Sequence, residues 1–157
     1  RDFDPRPVPR EVIAACIARD ELNVAGEFAL GHYTHEKNPV TAAAALATLQ
    51  VIERDDLVAN AARVGAHALA RLQEMKRRFA LIGDVRGRGL LLGIELVDDR
   101  DTKAPARAAA ERVLYRALSR GLSFKTTMGN VLTMTPPLIT SIAQMDAALD
   151  ILDECLV

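Results

Sequence analysis

The sequence predicts an α/β fold: a short, largely antiparallel sheet with helices packed on one side. Three observations lead there. The apolar patterning of the second half runs strand, helix, strand, strand, helix, and Met128-Gly129-Asn130 between two apolar stretches is a hairpin signal. Half of the residues are hydrophobic but only 4% are aromatic, which points to Ala/Leu/Val packing of helices on a small sheet. At 157 residues the chain has the size of one domain and is long enough to bury a core.

The chain opens with Arg1-Asp2-Phe3-Asp4-Pro5-Arg6-Pro7-Val8-Pro9, whose alternating prolines suit an extended arm and read as the interior of something longer. Val12 to Ala18 is a short apolar run, a buried strand or a packed helical segment. Residues 19–37 are irregular and carry His32, Tyr33, Thr34, His35, Glu36 and Lys37, a concentration of polar side chains that invites a site reading.

Asn38-Pro39 is a helix start, with Asn to cap free N–H groups and Pro at the first helical position, and the helix is expected to reach about Arg54. After Asp55-Asp56 a second helix places Leu57, Ala61, Val64, Ala68, Leu72, Met75 and Phe79 on one stripe. Its other face, Arg63, His67, Arg71, Glu74 and Arg78, reads as solvated charge. Gly83-Asp84-Val85-Arg86-Gly87-Arg88-Gly89 reads as a glycine-rich turn between that helix and a strand over Leu90 to Val97. In the strand Leu90, Leu92, Ile94 and Leu96 share one face and Leu91, Gly93, Glu95 and Val97 the other, so both faces look mostly covered. A polar turn at Asp98 to Asp101 precedes a third helix from about Pro105 to Arg120, with Ala109, Ala110, Val113, Leu114, Ala117 and Leu118 inward and Gly121 at its end. Strands over Leu122 to Thr126 and Val131 to Thr135 follow, stopped by Pro136-Pro137. Ser141 and Gln144 form a capping box for a last helix lined by Ile142, Met145, Leu149, Leu152 and Leu156.

A net charge of -1 and a pI near 6.3 supply no field for nucleic acid or an anionic membrane. Cys16 and Cys155 are far apart with no metal-type spacing, and the chain has neither a secretory signal pattern nor an 18-residue apolar span. The expectation is a reduced, cytoplasmic protein without nucleic-acid, membrane or metal partners. The stretch with the most chemistry is the glycine-arginine one. A guanidinium fixed at a strand entrance presents a planar fork of donors that matches a carboxylate; a tight turn with solvated arginines has the same sequence.

Gly31-His32-Tyr33-Thr34 through Asn38-Pro39 and Ala42-Ala43-Ala44, then Gly83 to Leu90 through Gly93-Ile94-Glu95, then Met134-Thr135-Pro136-Pro137-Leu138, resemble in order and spacing the class III aminotransferases. These are pyridoxal-phosphate enzymes of fold type I. The likeness runs from about Val12 to the end, and the glycine-arginine stretch looks most like the dialkylglycine decarboxylase branch. The resemblance implies the C-terminal small domain of such an enzyme with the closing segment of the large domain: 1–37 a remnant of the cofactor-binding domain, 38–80 interdomain and first small-domain helices, 81–157 the small α/β domain. It implies pyridoxal phosphate as cofactor, a second subunit as partner, and an amino donor and a 2-oxo acid as substrates. Thr34 matches the threonine that reaches the cofactor phosphate of the other subunit, and Arg86 the arginine that grips a substrate carboxylate. Arg88, His32 and His35 are expected to be bystanders.

The resemblance also places the Schiff-base lysine, the aspartate for the pyridine nitrogen and the phosphate loop ahead of Thr34, where this chain has no lysine before Lys37. It therefore implies no catalytic residue in this chain and inactivity of the chain alone. Two alternatives stand beside amino transfer: a decarboxylating transaminase or amine lyase on the same scaffold, and a non-catalytic fragment that acts by association.

Overall fold

The computed structural model describes residues 38–156. The Val12 to Ala18 run and the loop with His32, Thr34 and His35 lie outside the described residues. The chain divides into two compact units, Arg1–Asp55 and Asp56–Val157. Among the described residues no helix is long and apolar enough to cross a membrane.

In the first unit the described element is α1, Pro39–Arg54. Asn38 caps it as its side chain predicts: Oδ1 accepts from the Val40 N–H at 2.9 Å, and Pro39 occupies the first turn. None of its side chains is buried.

The second unit runs α2 Leu57–Arg78, β1 Ile82–Arg88, β2 Leu91–Asp99, β3 Ala104–Pro105, α3 Arg107–Ser119, β4 Lys125–Thr127, β5 Val131–Met134 and α4 Ile142–Cys155. The sheet order is β1-β2-β5-β4, with β3 paired to β2, and every pairing is antiparallel. α2 lies against β1 and β2, α3 against β2, β4 and β5, and α4 against α2 and α3. One core results. Val64, Ala68, Leu72 and Met75 of α2 meet Ile82, Val85, Leu92, Ile94, Leu96, Leu132 and Met134 of the sheet, closed by Val113 and Ala117 of α3 and by Met145, Leu149 and Leu152 of α4.

The predicted stripe of α2 is therefore the buried one. The capping box of α4 forms in full: Gln144 N–H donates to Ser141 Oγ and Ser141 N–H to Gln144 Oε1. Gly121 takes φ +87 at the end of α3, and Met128 and Gly129 take φ +56 and +83 in the β4–β5 hairpin.

Four expectations are corrected. The glycine-arginine stretch is not a turn but strand β1; only Gly89, with φ +54, turns the chain. Its other glycines are there because neighbours press on the strand: a Cβ on Gly83 would meet Val97 Cγ1 at 2.7 Å, and one on Gly87 the Leu91 carbonyl oxygen at 2.5 Å. Among the described residues the sheet is also covered on one face only. Leu92, Ile94 and Leu96 are buried, while Leu91 is 60% exposed and Gly93 and Glu95 are half-buried; Val97 alone on that side is buried.

The polar face of α2 is not simply solvated. His67 Nε2 lies 2.6 Å from Asp146 Oδ1, Arg71 donates to Asp146 and Asp150 at 2.9 and 2.7 Å, and Arg78 makes a two-pronged contact with Asp153 at 2.8 and 3.0 Å. Those carboxylates repeat along α4, so the face is a seam between helices. In α3, Leu118 points outward at 53% exposure and Leu114 is half-buried, because the buried arc is filled by Ala109, Ala110, Val113 and Ala117. Arg100, in the turn after β2, donates to the carbonyls of Lys76, Phe79 and Ala80 and so closes the C-terminal end of α2.

Candidate functional site

A sheet with one face on the core presents its other face as a flat array of side chains, and register decides which of them are neighbours. Arg86 of β1 faces Gly93 of β2, Gly93 faces Thr133 of β5, and Thr133 faces Lys125 of β4. One step along, Asp84 faces Glu95, Glu95 faces Val131 and Val131 faces Thr127; one step the other way, Arg88 faces Leu91. The open face is thus a grid with an acidic corner, a cationic edge and a bare centre at Gly93.

Arg86 is held within this grid. Its Nη1 donates to Glu95 Oε2 at 2.7 Å and to Asp84 Oδ2 at 3.0 Å, and Lys76 from α2 reaches Asp84 Oδ1 at 3.3 Å. The Glu95 bond, and after it the Asp84 bond, raise the Arg86 guanidinium above its ordinary value. Burial pushes the Asp84 carboxyl up, but the hydrogen bonds from Arg86 and Lys76 outweigh it and leave Asp84 below its ordinary 3.8. Both contacts of Arg86 use one nitrogen. Its Nε and Nη2 have no partner among the described residues.

Besides a hollow of about 280 Å³ at the acidic corner, lined by Gly83, Asp84, Glu95, Val97, Arg100 and Lys103, two more adjoin the sheet. One, of about 410 Å³, includes Arg86, Arg88, Gly93, Thr127, Met128 and Thr133 in its lining and no acidic residue. Thr127 and Thr133 share a hydroxyl–hydroxyl bond of 2.9 Å at its wall. The other, of about 500 Å³, lies between the β4–β5 edge and the start of α4 and is lined in part by Phe124, Lys125, Thr133, Thr135 and Gln144. It too lacks a carboxylate. A pyridoxal phosphate ring needs an acid at its pyridine nitrogen as well as an amine at its aldehyde carbon. The described residues do not complete such a site: Lys76 is committed to Asp84, Lys125 looks into a hollow that has hydroxyls but no acid, and Lys103 shares a hollow with Asp84 and Glu95, whose carboxylates are already paired with Arg86. No group of His, Cys, Asp and Glu among the described residues is arranged to hold a metal.

Of the residues singled out from the sequence, Arg86 lies on the open face in a defined ion-pair network. Thr34 lies outside the described residues, as do His32 and His35. Arg88 sits on the rim without a charged partner among the described residues. The sequence reading missed Asp84, Thr127 and Thr133. The signal for Asp84 was its spacing of two from Arg86, which puts both on one face once the stretch is recognised as a strand. For the threonines it was the register of the hairpin, which fixes them opposite Val131 and Lys125.

Comparison with known proteins gives this geometry a family. The aminotransferase class-III family model matches residues 12–156. The (R)-1-hydroxy-2-aminoethylphosphonate ammonia-lyase of Vibrio splendidus is 46% identical over 144 residues, covering 92% of this chain and 30% of that protein. The leucine/methionine racemase of Thermococcus litoralis is 44% identical over 128 residues, 81% of this chain and 29% of the relative. An amine transaminase from an uncultivated Pseudomonas species, solved in its pyridoxal-phosphate-bound internal aldimine form, superposes with a TM-score of 0.76 at 32% identity, over 86% of this chain and 31% of its own. The chain thus spans about 30% of the length of these curated relatives. None of the three is a dialkylglycine decarboxylase. With the family model covering nearly all of the chain, and the antiparallel sheet and its helices matching a solved transaminase, the chain belongs to the class III aminotransferases.

Proposed function

We propose that this chain serves as the C-terminal part of a pyridoxal-phosphate-dependent enzyme of the class III family, one that moves an amino group between an amine or amino acid and a 2-oxo acid. The observation that carries the reading is the family match over residues 12–156. In this scheme 1–37 closes the large domain, 38–80 joins the domains and 81–157 is the small domain, in a cytoplasmic assembly of at least two subunits. The cofactor, when bound, withdraws electrons from the substrate carbon. The chain's own residues recognise the substrate. Thr34 donates its hydroxyl to the cofactor phosphate of the neighbouring subunit, and Arg86 turns its Nε–Nη2 edge to the substrate's acid group while Glu95 and Asp84 hold its third nitrogen.

A second reading has specific support. The relative at 46% identity is an ammonia-lyase acting on an aminophosphonate, so elimination of ammonia from an amine bearing an oxyanion group is the alternative reaction on the same scaffold. Turnover separates the two: the transaminase reading requires a 2-oxo acid for the amine to be consumed beyond one equivalent of cofactor, and the lyase reading releases ammonia catalytically without one.

The Schiff-base lysine belongs outside this chain in either case. The test is the intact mass of the 157-residue chain after incubation with pyridoxal phosphate and borohydride reduction. The expected result is no stoichiometric adduct at a single site. Specific labelling of one lysine, Lys37 or Lys125 first, contradicts the assignment and makes the chain a cofactor-binding unit in its own right.

A further inference from the structure

Seven glycines lie among the described residues, and six of them are required by the fold. Gly89, Gly121 and Gly129 have φ of +54, +87 and +83, where a side chain is strained. A Cβ on Gly65 would meet the Gly89 carbonyl oxygen at 2.1 Å, and Gly83 and Gly87 are similarly crowded, at 2.7 and 2.5 Å. Gly93 has neither reason. It lies in the middle of β2 with an ordinary φ, and the nearest atom to a Cβ there is Val131 Cγ1 at 3.6 Å, a normal contact. Glycine inside a strand is destabilising relative to alanine. A strand glycine that packing does not demand marks a place where something else comes close.

What surrounds Gly93 says what that is. Arg86 and Thr133 flank it on the neighbouring strands, and the 410 Å³ hollow over it has no acidic lining. The Thr127–Thr133 pair has two hydroxyl protons, one of which lies in their mutual bond; the other is left to donate outward. Arg86 has two unpartnered nitrogens facing no protein acceptor among the described residues, and Arg88 at the rim has no anionic partner among them. The nearby acids, Asp84 and Glu95, are already bonded to Arg86, and Asp84 to Lys76 as well. Donors from three strands thus line one gap, beside the apolar side chains of Leu91, Met128 and Val131. That arrangement suits the several oxygens of a tetrahedral oxyanion better than a planar carboxylate gripped by one guanidinium.

We propose that the open sheet face holds an oxyanion subsite, with Gly93 as its floor and Thr133, Thr127, Arg86 and Arg88 as its donors, which takes the phosphonate or phosphate group of an amine substrate. The subsite deepens the lyase reading above and rests on it for its place in the reaction, but its binding does not depend on the cofactor. Gly93 and Thr133 are its specificity-determining positions: a methyl group at 93 fills the space an anion oxygen occupies.

The experiment is a titration of the ¹⁵N-labelled 157-residue chain with methylphosphonate, following the amides of Gly93, Thr127 and Thr133, with acetate as the planar comparator. Saturable shifts at these amides, with acetate weaker, are expected. Thr133→Val is expected to weaken methylphosphonate by about tenfold, the loss of one hydrogen bond to a charged group. Gly93→Ala is expected to abolish the saturable response while its spectrum elsewhere stays folded. Linear, unsaturated shifts, equal binding of acetate, or methylphosphonate binding that survives Gly93→Ala overturns the subsite. Methylphosphonate binding without any ammonia release by the complete enzyme leaves the subsite standing and removes the lyase reading; ammonia release from an aminophosphonate without a response at these amides does the reverse.

Discussion

The two faces of the same four strands obey different rules. On the covered face Leu92, Ile94, Leu96 and Leu132 are all at 1% exposure or less and meet aliphatic side chains from three helices, so each position is chosen by volume. On the open face, beside Leu91, Val131 and the buried Val97, stand Arg86, Gly93, Glu95, Thr127 and Thr133, which present donors, acceptors and a gap. One face reports how the chain folds and the other what it meets. Glycine makes the contrast sharp, since the same residue is forced by contact at Gly65 and unforced at Gly93.

The largest expected effect comes from violating the packed side. Gly65→Ala improves helix propensity by about 1 kcal/mol, yet its methyl group would collide with the Gly89 carbonyl where α2 crosses the β1–β2 turn. A net loss of about 3 kcal/mol or more is expected in chemical denaturation, because neither backbone can yield cheaply. Leu149→Ala removes a fully buried side chain at the meeting of α4 with the rest of the core, and an unfolding free energy lower by about 3 kcal/mol is expected, with an unchanged denaturant slope. Either variant behaving like the wild type breaks the claim that the covered face is volume-determined.

A smaller effect belongs to the α2–α4 seam. The bond from His67, and then that from Arg71, hold the Asp146 carboxyl below its ordinary 3.8. A carboxyl lowered in the folded state contributes stability that is fully present above 3.8 and is lost as pH falls through the folded value. Thermal unfolding midpoints from pH 6 down to pH 2 should therefore fall less steeply for Asp146→Asn than for the wild type. Parallel curves contradict the role of this pair. On the open face Arg86→Ala is expected to change stability by about 1 kcal/mol or less, since exposed ion pairs contribute little. In the complete enzyme the same variant should raise KM for the acid substrate far more than it lowers kcat.

Local chemistry made much of this legible from sequence. Asn38-Pro39, the Ser141/Gln144 box and Gly121 each declare a helix boundary through a hydrogen bond or a backbone angle that few other residues supply, and the 3.6-residue stripe from Leu57 to Met75 gives the core face of α2. The β1 strand was illegible because glycine is ambiguous. Gly83 and Gly87 look like turn residues until the crowding by Val97 and Leu91 is visible, and that crowding comes from residues brought close only by the hairpin. The ion pairs between α2 and α4 were hidden for a related reason, their partners being 75 to 79 positions apart in sequence. Arg86 was found by its residue type, whereas Thr127 and Thr133 have no motif of their own and acquire meaning from register alone.

The difference between the two faces is tested most directly by the unfolding free energy of Gly93→Ala. If the fold does not require Gly93, the alanine relieves unfolded-chain entropy at an ordinary backbone angle and the protein is stabilised by about 0.5–1 kcal/mol. A loss of stability of the size expected for Gly65→Ala contradicts the account. It would make Gly93 one more packing glycine and take away the reason for placing a ligand over it.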